Sequence, residues 1–160
     1  MSKAFGFANW RIGWIVYPEK LEAAMRKIQD TIIICPPVIS QFAALGALAA
    51  GRVFIGEKLR GIAKTRRQVQ HELAALGADG LVEVPPAQGA FYFLLRVRSE
   101  RPPLELAERL IREHRVAVIP GNAFGFERGC HLRVAYGALE PATAAEGVGR
   151  LVQGLRALAG

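Results

Sequence analysis

Cysteine is scarce: Cys35 and Cys130 are the only two in 160 residues. Two cysteines cannot build a disulfide framework, and no Cys-x-x-Cys pair or His/Cys cluster accompanies them. The simplest reading is a pair of buried structural thiols in a cytoplasmic protein. His71, His114 and His131 share no ligand spacing, so no metal site is expected. Long apolar runs are also missing. Thr31 to Val38 is broken by Pro36 and Pro37, and Gln41 follows closely, so no contact with a membrane is expected. The start has neither a continuous apolar block nor a cleavage pattern and does not read as a signal peptide. No internal repeat or low-complexity segment is present.

What the chain does have is apolar content of 51% and a net charge of +7. The first excludes a disordered chain and, at this length, provides for one domain's core but hardly for a two-lobed enzyme. The second, with a pI near 10.0, raises nucleic-acid binding. The distribution of charge argues against it: arginines run from Arg11 to Arg156, usually beside glutamates, as in Arg98-Ser99-Glu100-Arg101. The densest cluster, Lys64-Thr65-Arg66-Arg67, has no interleaved aromatics to stack on bases. No nucleic-acid partner is expected.

Arg11 to Tyr17 is rich in β-branched and aromatic residues and reads as a strand ended by Pro18. Glu19 to Ile32 places Leu21, Met25, Ile28 and Ile32 on one helical face, and Cys35-Pro36-Pro37 breaks the chain. Ser40 is a candidate cap for a second helix ending at Gly51. Ile55, Leu59, Ile62, Arg66, Val69, Leu73 and Leu76 then form one seam along a helix of about six turns. After Gly77 and Gly80 the pattern becomes compact. Strands are expected over Leu81 to Val84, Ala90 to Val97, Val116 to Ile119 and Leu132 to Tyr136. A helix opened by Pro103 should bury Leu104, Ala107, Leu110 and Ile111. A last helix from Pro141 should bury Ala144, Val148, Leu151, Val152, Leu155 and Leu158. The expected class is α/β, with an α+β C-terminal part: a short sheet packed by helices on one side. Three regions are expected, over 1–38, 39–79 and 80–160, the middle one being connecting helices. The first strand has no neighbour in the next sixty residues, so its pairing partners are expected upstream and the chain reads as truncated.

The chemistry-bearing stretch is Ser2-Lys3-Ala4-Phe5-Gly6-Phe7-Ala8-Asn9-Trp10-Arg11-Ile12-Gly13. A lysine amine can bond covalently to an aldehyde, and an arginine eight residues on can grip a phosphate in its planar fork. Together they suit a phosphorylated aldehyde. Taken alone, a lysine two residues after Met1 is more often part of a solvated tail. Later blocks change that balance: Gln88-Gly89-Ala90-Phe91-Tyr92-Phe93, then Val116 through Gly125 with Pro120-Gly121-Asn122, then Leu132-Arg133-Val134-Ala135-Tyr136-Gly137.

In order and spacing these blocks resemble class I/II aminotransferases of fold type I, which depend on pyridoxal phosphate. The resemblance implies the C-terminal part of that fold: the end of the large domain and the small domain. It implies that Lys3 bonds the cofactor and later moves a proton, and that Arg11 holds the phosphate, with Ser2 as a weaker candidate beside it. Arg133 is implied as the clamp on the substrate carboxylate, with Gly121 and Asn122 lining the same site. From strand alternation alone Arg133 faces either solvent or a cleft. Phe91 and Tyr92 read as core. Implied partners are an amino acid and a 2-oxo acid and, in the full-length form, a second copy in a homodimer; a truncated gene and a split enzyme with a separately encoded front half are both compatible with the residues. The family's front portion carries an aspartate for the pyridinium nitrogen; Asp30 and Asp79, the only aspartates here, stand in helical or turn contexts unlike it. An isolated chain is therefore expected to transaminate weakly or not at all. The other readings are a non-catalytic scaffold domain and a basic nucleic-acid binder.

Overall fold

A computed structural model describes residues 1–137 and 140–159. The chain divides into two compact units, Met1–Leu59 and Arg60–Gly160.

The first unit opens with a turn, a 3-10 helix over Ala8–Trp10 and Arg11 in the left-handed region at φ 50°. The expected strand from Arg11 to Tyr17 is not formed; residues 12–18 carry no regular secondary structure. A single apolar segment has no second strand to take its N–H and C=O groups, and among the described residues none is offered. A 3-10 turn over Glu19–Leu21 leads into α1, Glu22–Ile32, as its apolar spacing requires. Cys35-Pro36-Pro37 interrupts the chain as expected. Cys35 is exposed, which corrects the buried-thiol reading for that residue; Cys130 is buried.

The next helix, α2, runs over Val38–Ala78 and crosses from the first unit into the second. Its first amides are taken by the Pro37 carbonyl, which accepts from the N–H of Ser40 (3.0 Å) and Gln41 (3.2 Å). Ser40 thus lies inside the first turn and does not cap it. Gly51 is non-helical, at φ 53° and ψ −138°, a conformation that a Cβ would strain. The helix resumes directly after this break, earlier than Ile55. One correction concerns hydropathy. An 18-residue window of α2 reaches a mean hydropathy of 1.7, long and apolar enough by length and composition to cross a membrane. The run before Gly51, Val38 to Ala50, spans only ~20 Å at helical rise, short of a hydrocarbon core of ~30 Å.

The second unit is built on a four-stranded antiparallel sheet in the order β1-β2-β4-β3. Its strands are β1 Val82–Glu83, β2 Tyr92–Val97, β3 Ile119–Pro120 and β4 Cys130–Ala135. The strand expected over Val116 to Ile119 shrinks to two residues. In the long β2–β4 pairing, Leu94 stands opposite Arg133 and Arg96 opposite His131. Alternation buries Phe93, Leu95 and Val97 with Leu132 and Val134, and leaves Tyr92, Leu94, His131 and Arg133 on the other side.

The buried face packs on α3, Pro103–His114, on α4, Pro141–Leu158, and on the seam residues Val69, Leu73 and Leu76 of α2. All six residues expected to be buried on α4 are so. On α3 the buried set is Leu106, Ala107 and Leu110, while Leu104 and Ile111 face solvent. α4 lies close against this face: a Cβ on Gly154 would stand 2.5 Å from the Leu110 side chain. Arg101 Nε donates to the Leu158 carbonyl (3.0 Å), joining the entry to α3 with the end of α4.

Candidate functional site

The first group of candidate residues sits on the loop of the first unit. Phe5 N–H donates to the Met1 carbonyl (3.1 Å) and Gly6 N–H to that of Lys3 (3.2 Å). Gly6 adopts φ +69°, and this left-handed step turns the chain back after Lys3. The aromatic residues of the motif form a ladder. Phe5 meets Phe7 edge-on at 6.4 Å, Phe7 stacks on Trp10 at 5.5 Å, and Phe5 stacks on Phe54 of α2 at 6.4 Å. The ladder explains the Gly/aromatic composition of this stretch: the glycine bends it and the rings hold it. Lys3 is exposed and Ser2 half-buried. Arg11 is exposed, and its Nη1 donates to the Ala8 carbonyl at 3.0 Å. An amine, a hydroxyl and a guanidinium therefore share one short loop.

The second group lies in the second unit, on the sheet face turned away from the helices. Arg133 projects from β4 beside two rings. Its guanidinium carbon is 4.1 Å from the Tyr92 ring centroid and 5.3 Å from that of Phe124. Its Nε is buried without a hydrogen-bond partner. Nearby ion pairs go elsewhere: Glu83 is shared by Arg96 and Arg98 at 3.5 and 3.4 Å. Arg133 thus stands as a cation paired by rings and not by a carboxylate among the described residues, which suits it to an anion from outside. Two residues back on the same face, His131 packs against Phe126 at 4.8 Å, and its Nδ1 is likewise buried and unpartnered.

Gly121 begins a 3-10 turn over Gly121–Phe124, closed by Gly125 at φ 84°. This turn rides on β4 so closely that a Cβ on Gly121 would lie 2.5 Å from His131 Cβ. The turn delivers Phe124 to Arg133. Asn122 is exposed on it, and its carbonyl accepts from Gly125 N–H at 3.2 Å. The structure therefore groups Ser2, Lys3 and Arg11 on one loop, and Gly121, Asn122 and Arg133 on one sheet face with its adjoining turn.

Sequence reasoning missed Tyr92 and Phe124. Phe91 and Tyr92 were both expected in the core; Tyr92 instead stacks on Arg133, because the strand's buried parity is that of Phe93. The usable signal was the parity of Arg133 itself, since a diagonal neighbour across an antiparallel pair shares its face. Finding it needed the register, which sequence alone leaves open.

Beneath this face, Tyr136 extends the pairing beyond β4: its N–H donates to the Phe91 carbonyl (2.9 Å) and its hydroxyl to that of Ala90 (3.3 Å). Burial pushes its phenol pKa up, partly offset by the nearby Arg66. Burial likewise pushes up the Cys130 thiol.

A family profile, aminotransferase class I and II, matches residues 1–151. An aromatic aminotransferase of Arabidopsis thaliana, ISS1, is 34% identical over 98% of this chain and 40% of its own length. An aspartate/prephenate aminotransferase of Thermus thermophilus is 37% identical over 87% of this chain and 35% of its own. Among solved structures, an aromatic aminotransferase from Pyrococcus horikoshii superposes with a TM-score of 0.85 at 28% identity, covering 97% of this chain and 41% of that one. The chain thus spans about two fifths of the length of the relatives it matches. It belongs to the class I and II aminotransferases, a family of pyridoxal-phosphate-dependent enzymes.

Proposed function

We propose that this chain is the cofactor-lysine and small-domain part of an aminotransferase that moves an amino group between an amino acid and a 2-oxo acid. The observation that carries the reading is Arg133, a cation set against two rings with no carboxylate of its own among the described residues. The donor set of the first loop fits pyridoxal phosphate: an amine for its aldehyde, and a guanidinium and a hydroxyl for its phosphate. When bound, that cofactor supplies an electron sink for the electrons released at the substrate Cα. Lys3 Nζ would hold the cofactor's aldehyde carbon and afterwards carry the proton from the substrate Cα to that same cofactor carbon. Arg11 and, more weakly, Ser2 hold the phosphate; Arg133 orients the α-carboxylate, with Gly121 and Asn122 lining that end. The complete enzyme is a cytoplasmic homodimer. Lys3 and Arg11 are exposed, so these residues by themselves turn over weakly or not at all unless a front half encloses them.

The test is reductive trapping. Pyridoxal phosphate added to the chain, followed by borohydride and peptide mapping, should mark Lys3 above the other lysines, and the mark should vanish in Lys3→Ala. Labelling spread evenly over surface lysines would defeat the assignment of Lys3. Stoichiometric, Lys3-dependent turnover by the chain alone would defeat its inactivity.

A further inference from the structure

Tyr92 and Phe124 reach Arg133 from different elements and from different directions in sequence. Tyr92 lies on β2, two residues before Leu94, the register partner of Arg133. Phe124 closes the turn that Gly121 lets settle onto β4. Phe124 stays 46% exposed, so its contact with Arg133 is not a by-product of core burial. The Tyr92 hydroxyl makes no hydrogen bond among the described residues, leaving its ring as the part in use.

We propose that Tyr92 and Phe124 are positioning residues that clamp the Arg133 guanidinium, so that it meets a ligand carboxylate already oriented. The proposal rests on the reading of Arg133 as the carboxylate-binding residue. An arginine with no ion pair ordinarily loses rotamer freedom when it takes a ligand. Two rings that hold the guanidinium beforehand remove much of that cost, which is how pre-organisation raises affinity. The rings also keep water from the sides of the group they cover, which strengthens the hydrogen bonds made by its free edge. That edge matches a planar carboxylate, which takes two parallel N–H bonds. The attraction is between the cation and the ring quadrupole, so phenylalanine should serve as well as tyrosine at position 92.

The test uses the whole chain labelled with 15N at arginine and follows the Arg133 Nε–H resonance, identified by its loss in Arg133→Lys. In the wild type that signal should be displaced by ring currents and exchange slowly with water. Tyr92→Leu and Phe124→Leu should each return it toward the position of the exposed arginines, and Tyr92→Phe should leave it in place. Titration with 3-phenylpropionate should show affinity weakened about fivefold to tenfold in each leucine variant, the range of one or two cation–π contacts, and unchanged in Tyr92→Phe. Leucine variants with wild-type signal and affinity would overturn the clamp. So would a Tyr92→Phe variant as weak as Tyr92→Leu, since the hydroxyl would then be the active group. Phe124→Leu, on an exposed turn, keeps the test decisive if Tyr92→Leu fails to fold. Wild-type binding that survives Arg133→Lys, or is absent altogether, would refute the carboxylate reading instead, and the clamp would stand or fall on the resonance.

Discussion

The seam of α2 changes character along its length. In the first unit Ile55 is half-buried and Leu59 is 56% exposed, whereas in the second Val69, Leu73 and Leu76 are fully buried. The same contrast runs through the two units. Among the described residues of the first, only Ser40 and Ala44 are buried, while Trp14, Ile15 and Val16 are exposed. The second has a continuous core made by one sheet face and three helices. Similar apolar content therefore has two outcomes. A side chain's hydrophobicity becomes stability only where a second surface comes to meet it.

The largest effects should separate the two units directly. Leu95→Ala removes a fully buried side chain of β2 and should cost about 2–5 kcal/mol in urea unfolding. Ile15→Ala, at 70% exposed, should stay within about 0.5 kcal/mol. Equal losses would erase the distinction.

A smaller effect tests how tightly the core is closed. Gly154→Ala places a methyl 2.5 Å from Leu110 and 3.0 Å from His114 and should cost about 1–3 kcal/mol by overpacking. Gly46→Ala, on the α2 segment of the first unit with nothing within 4 Å of the new Cβ, should be neutral or slightly stabilising by helix propensity.

The smallest effect is a slope with pH. Cys130 and Tyr136 both have raised pKa values in the folded state because of burial. Their unfolded forms therefore lose protons first, so stability is full below the unfolded pKa values and falls as pH rises through the folded ones. Unfolding midpoints should decline from roughly pH 8.5 upward, the ordinary thiol range, and further above roughly pH 10. Cys130→Ala should flatten the lower part and Tyr136→Phe the upper part. A midpoint that rises with pH in the wild type would reverse the assignment.

The elements whose signal is local were legible in the sequence. The α4 face, the Pro-opened helices and the strands around Phe93 and Leu132 follow from periodicity and from residues that punctuate the chain. What escaped depends on neighbours distant in sequence. Leu104 and Ile111 have the spacing of buried residues and face solvent. Arg11 to Tyr17 had a strand's composition and no strand to pair with. Tyr92 had the composition of a core residue, and only the register against β4 puts it beside Arg133. At the candidate site the residue types and their order were readable, while the rings that hold Arg133 were not.

The exposed apolar surface of residues 1–59 also has a consequence during synthesis. Ribosomes add roughly 5–20 residues each second, so this unit leaves the exit tunnel several seconds before the last strand and helix of the second are made. Throughout that interval the nascent chain shows Trp14, Ile15, Val16 and the outward residues of α2 with no core of its own to withdraw them into. A chaperone that recognises short apolar segments has its best target in this first unit.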